Sequence, residues 1–104
     1  MNNLQIVGYG FSNLKDKRFV VQMNNDKYYH FGYKFGQTFL DHKDERKKEG
    51  YQKRHLGNET ERRTIENLIP SPALFSFYLL WQSSDLIENI KYLNYLFRER
   101  NIVA

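Results

Sequence analysis

Along the first third of the chain the apolar residues come in short runs, whereas beyond Asp41 they return at helical spacing. Residues 4–11, LQIVGYGF, are rich in β-formers and broken by Gly8 and Gly10. Residues 18–23, RFVVQM, and 27–33, KYYHFGY, flank Asn24-Asn25-Asp26. Those turn residues tolerate left-handed backbone and bond their own main chain, so a hairpin from about Phe19 to Phe31 is the strongest local signal. Apolar and polar positions alternate imperfectly, which predicts partial cover on both faces of the sheet. Gly32 and Gly36 then punctuate the chain, and QTFLD (37–41) reads as a short strand or an extended arrival at the next element.

The remainder reads as helices. Asp41, three residues before Asp44, makes a weak version of a capping box for a polar helix over 43–56, with Gly50 as its weak point. Pairs such as Asp44 with Lys48 and Glu49 with Lys53 suit a solvated helix. Gly57-Asn58 stops it, and residues 59–69 offer another short helix ended by Pro70. Ser71 as cap and Pro72 at the first helical position open SPALFSFYLLW, which is apolar nearly all round and predicts the central helix of the core. A last helix starts at Asp85 with Glu88, carries Leu86, Ile90, Leu93 and Phe97 on one stripe, and places Arg98 and Arg100 near its carbonyl end. The expected architecture is therefore one α+β domain over residues 1–104. A small N-terminal antiparallel sheet of three or four strands is packed by three or four C-terminal helices. Ala73–Trp81 should lie against the sheet and Leu86–Phe97 should cover it.

Composition sharpens this picture. The chain of 104 residues has 16% aromatic residues, enough both to fill a small core and to leave some for an interface. Its net charge of +4 permits nucleic-acid or acidic-surface binding without demanding it. With no cysteine, disulfides and thiolate metal sites are excluded, and a reducing interior is the natural habitat. No apolar run resembles a signal peptide, and ALFSFYLLW is far shorter than the ~20 residues of a membrane span. A soluble protein without cofactor is expected.

The candidate chemistry gathers in residues 38–55, TFLDHKDERKKEGYQKRH. Asp41, His42 and Asp44 suggest a metal site or a small metal-dependent nuclease. However, His42 points about 100° away from Asp41 on a helix, and no HxxxH or HExxH spacing occurs. Neither a GxSxG elbow nor a phosphate-binding glycine loop is present, so no catalytic constellation is recognised. Lys43, Arg46, Lys47, Lys48, Lys53 and Arg54, continued by Arg62 and Arg63, make the 43–63 region a candidate contact for phosphates or an acidic partner. The interspersed Asp44, Glu45 and Glu49 fit a merely solvated face instead. His30, between Tyr29 and Phe31, reads as a hydrogen-bonded structural histidine. Finally, Asp41, His42, Asp44, Tyr51, Arg54 and His55 can be read as a polar knot, in which Arg54 bridges Asp41 or Asp44 through two hydrogen bonds and locks strand to helix.

The motif running from Phe31-Gly32 through Thr38, Phe39, Asp41, His42, Asp44, Tyr51, Arg54 and His55 to Ala73, Leu79, Leu80 and Trp81 resembles a family of small uncharacterised proteins of large double-stranded DNA viruses of eukaryotes. The likeness spans residues 30–81; Phe39 departs from the tyrosine common in that family and removes a hydroxyl. The resemblance transfers no activity. It implies a viral origin and a virion component of the minor-capsid type, which binds other virion proteins and is found in the virion and, during infection, inside the host cell. Genome-associated proteins and host-modulating factors are the other options that it leaves open.

Overall fold

The computed structural model describes residues 2–104. Three strands form, β1 (Ile6–Phe11), β2 (Lys17–Met23) and β3 (Tyr28–Tyr33), in the order β1-β2-β3, and both pairings are antiparallel. The β2–β3 hairpin closes through Asn24-Asn25-Asp26. Asp26 N–H donates to the Met23 carbonyl, and Asp26 itself takes the left-handed conformation at φ 67°. This is the three-residue hairpin loop, with aspartate at the position glycine often fills.

Cross-strand register places Ile6 opposite Met23, Tyr9 opposite Val21, and Phe11 and Phe31 opposite Phe19. One face therefore carries Ile6, Phe19, Val21, Met23 and Phe31, all buried. At Gly32 the backbone turns to φ 80°, and a Cβ there would stand 3.1 Å from Leu80 Cδ1. Only glycine suits that position on both counts.

Of the two readings of 37–41, the short strand does not form; the chain arrives extended at Thr38, and Phe39–His42 then form one turn of helix, α1. Thr38 and Asp41 bond each other across that turn, which diverts the segment from extended pairing. Lys43 follows in left-handed conformation at φ 54° and redirects the chain into α2 (Glu45–Gly57). Asn58 caps α3 (Glu59–Glu66).

The Ser71 hydroxyl accepts from Leu74 N–H and opens α4 (Pro72–Phe75). The apolar stretch does not continue as one α-helix, as its composition predicts, but widens into a π turn over Ser76–Leu80. Leu74, Phe75, Phe77, Leu79, Leu80 and Trp81 are all buried. The Leu79 carbonyl accepts from the side chain of Asn89, a buried residue of α5 (Leu86–Glu99). Asp85 caps α5, which buries Ile90, Leu93 and Phe97 as its stripe predicts. Its Asn94 amide bonds both the N–H and the C=O of Ile6, where β1 is irregular. The result is an α+β fold in which a three-stranded sheet and the α4–α5 layer enclose one core, with α1–α3 at its side. Among the described residues, no helix is long and apolar enough to cross a membrane.

Candidate functional site

The residues singled out between 38 and 55 gather around Trp81. That indole is almost fully buried, and the Tyr51 ring stacks on it with centroids 4.2 Å apart and planes 9° from parallel. His55, one turn further along α2, packs on Tyr51 with centroids 4.0 Å apart and planes tilted by 35°. His42 approaches Trp81 at 5.3 Å, and Phe39 meets His42 edge-on at 6.2 Å. A ladder of rings thus joins α1, α2 and the end of the π turn. Burial, and then the nearby negative charge of Glu61, push the Tyr51 hydroxyl up to about 12, so it stays neutral within the ladder. His55 Nδ1 bonds Glu61 on α3, tying the outer end of the ladder to the next helix.

Asp41 forms the bidentate bridge expected of the polar knot, but with another arginine. Arg18 of β2 donates Nη1 to Oδ2 and Nη2 to Oδ1, both at 2.6 Å, while Arg54 stays exposed on α2. Asp41 Oδ2 also accepts from the Thr38 N–H at 2.8 Å and from the Thr38 hydroxyl. The Arg18 bonds above all hold the Asp41 carboxyl well below the usual carboxylate range. Strand and helix are locked, as the motif suggests, through a residue that lies before it. The sequence signal for Arg18 was slight, one of several cations, with Lys15 and Lys17, at the start of an apolar strand.

Asp44 is the cap of α2 rather than a partner of Arg54 or Lys48. Its Oδ1 accepts from Arg46 and Lys47 N–H, which lowers its pKa. His42 Nδ1 accepts from Asp44 N–H, so that nitrogen carries no proton. The ring's Nε2 is buried without a hydrogen-bond partner. Both carboxylate oxygens of Asp41 are thus engaged by Arg18 and Thr38, while Asp44 Oδ1 and His42 Nδ1 are taken up at the start of α2. Among the described residues, no three His, Asp or Glu side chains converge on a common metal position.

The basic residues separate into two groups. Lys48 faces inward, where Nζ donates to the Gln82 carbonyl at 2.7 Å and lies 5.1 Å from the Phe39 ring. The expected pair Asp44–Lys48 does not form, because Lys48 turns to Gln82 and Asp44 to the helix start, and Glu49 and Lys53 are not paired either. Lys43 sits outside the helix, at the left-handed corner between α1 and α2. Arg46, Lys47, Lys53 and Arg54 are exposed on α2, and Arg62 and Arg63 on α3, where Arg63 pairs with Glu59 at 3.1 Å. His30 is engaged by the Ser12 hydroxyl at 2.7 Å on the sheet, apart from this cluster.

No curated protein and no solved structure matches the chain. Residues 10–55, from the end of β1 to His55, match the model of a family of unknown function, DUF5754. That stretch contains both halves of the Arg18–Asp41 bridge and both α2 rings of the ladder, so the chain is similar to this family over the segment that builds the knot.

Proposed function

We propose that the chain is a structural, protein-binding component, of the virion type implied by its resemblance to proteins of large DNA viruses, and that the sheet supplies the docking surface. The observation that carries this reading is that the sheet's core face runs beyond its helical cover. Tyr9 and Phe11 share the face of Val21 and Phe19 but lie on the edge strand, and they remain 54% and 84% exposed. At the end of β3, Tyr33 and Phe35 pack edge-on at 5.8 Å and remain 62% and 75% exposed. A bare continuation of a core is the kind of surface that a partner covers, and large aromatic side chains are strong anchors there. The engagement of Asp41, His42 and Asp44 in the knot supports an architectural reading of the motif over a catalytic one.

The test is to purify particles carrying the protein, separate capsid from genome core, and locate the chain by cross-linking mass spectrometry. Enrichment with the capsid is expected, with cross-links from Lys17 and Lys34, beside Tyr33, to a second protein. Absence from the particle, or presence only with the genome, overturns the reading. A Phe11→Ser/Phe35→Ser variant should keep its fold by circular dichroism and lose those cross-links.

A further inference from the structure

Gly50 stands in the middle of α2, where glycine is unfavourable relative to alanine because its backbone has more freedom to lose. Nothing within the protein requires it. Its backbone is ordinary helix, and a Cβ built there meets no atom within 4 Å. Position 50 is also four residues from both Arg46 and Arg54, the place where a glutamate would pair with either arginine. Glycine leaves both free.

The surroundings of Gly50 are equally one-sided. At about 100° per residue, Lys53, Arg46, Gly57, Gly50, Arg54 and Lys47 fall within one arc of about 120° around α2. Glu45 and Glu49 fall outside that arc, and Lys48, Tyr51 and His55 turn toward the protein. Arg46, Lys47, Lys53 and Arg54 are exposed, and among the described residues none of them is ion-paired. Arg46, Lys47, Gly50 and Arg54 line a cleft of about 480 Å³ that Gln37 and Trp81 help to close.

From this arrangement we infer a nucleic-acid site, in which the phosphodiester backbone lies along the basic arc of α2 and approaches the helix most closely at Gly50. The missing side chain lets a phosphate reach the helix surface while Arg46 and Arg54 flank it, and guanidinium groups suit phosphate oxygens in bidentate geometry. The scale agrees. From Arg46 to Arg54 the helix rises about 12 Å, which strings the four cations along one strand instead of gathering them at a single phosphate. This surface is separate from the aromatic end of the sheet and does not depend on the reading given to it.

The experiment is fluorescence anisotropy of short labelled single-stranded and duplex oligonucleotides with the whole chain across a salt series, with a polyglutamate peptide as competitor. Affinity should fall with salt at a log–log slope of about −3, as expected for neutralising about four phosphates. Arg46→Gln/Arg54→Gln should bring that slope nearer zero by about 1.5, whereas Lys15→Gln/Lys27→Gln, in the sheet turns, should leave it unchanged. Gly50→Ala is the decisive variant: it should raise the melting temperature, because alanine favours the helix, and weaken binding severalfold. Gly50→Glu should weaken it more than tenfold. Unchanged binding in both Gly50 variants, or a salt slope indifferent to Arg46 and Arg54, overturns the site. Displacement of the oligonucleotide by polyglutamate at equal charge overturns it in favour of an acidic protein partner.

Discussion

Helices α2 and α5 are nearly equal in length, 13 and 14 residues, yet the protein holds them by opposite means. α5 buries Ile90, Leu93 and Phe97 and clamps β1 through Asn94, so it is held mainly by apolar area withdrawn from water. Each such side chain contributes about 1.5–3 kcal/mol when fully buried. α2 has no fully buried residue at all. It is positioned by Asp44 at its start, by Tyr51 and His55 packed outward from Trp81, by Lys48 on the Gln82 carbonyl, and by the Arg18–Asp41 bridge just before it. The difference teaches that a helix without an apolar stripe can still be fixed in place, provided its ends are held and a few rings dock on a buried platform. Such a helix keeps most of its circumference free for binding.

The contrast can be broken hardest from the apolar side. Phe75 is fully buried against Tyr29 and Phe31, so Phe75→Ala should cost about 3–5 kcal/mol. Sheet and helix signals should be lost together in denaturant unfolding. Tyr51→Ala removes the middle rung of the ladder and two aromatic contacts, for about 1–3 kcal/mol. Its signature is local: amide exchange should accelerate in α2 and α3 while α5 keeps its protection.

A smaller effect separates charge from packing. Asp41 has its pKa lowered in the folded state, so its contribution is fully present above its unfolded value of about 4 and is lost as pH falls through the folded value. Asp41→Asn should therefore destabilise by about 1–2 kcal/mol at neutral pH, reduced from a fully buried pair by solvent at its rim. That gap should narrow below about pH 4, where the wild-type carboxyl begins to lose its advantage. A gap that is constant with pH would mean that Asp41 acts by shape alone. The smallest effect is at Asn58, whose side chain accepts from Glu61 N–H at the start of α3. Asn58→Ala should cost about 0.5–1 kcal/mol and loosen α3 without disturbing the sheet.

Local chemistry made much of the architecture legible. Asn24-Asn25-Asp26 marks the hairpin, Ser71-Pro72 and Asp85 mark helix starts, and the spacing of Ile90, Leu93 and Phe97 marks the buried stripe of α5. These signals act over a few residues, so they can be read without knowing what lies across the fold. The strand alternative at 37–41 failed because β-propensity says little about a short stretch whose Thr38 and Asp41 close a helical turn on themselves. The π turn was hidden as well, since an all-round apolar stretch does not specify its hydrogen-bond step.

By itself the sequence determined an α+β chain with a hairpin, capped helices and a motif of polar and aromatic residues between Thr38 and His55. Only the tertiary structure decided which partners those residues took. Arg18 reaches Asp41 across 23 positions, Trp81 receives Tyr51, and Lys48 turns to Gln82 because packing of the sheet and the α4–α5 layer brings those groups within reach. Side-chain bonds of this kind depend on distances set by the whole core, and spacing along one segment carries no record of them.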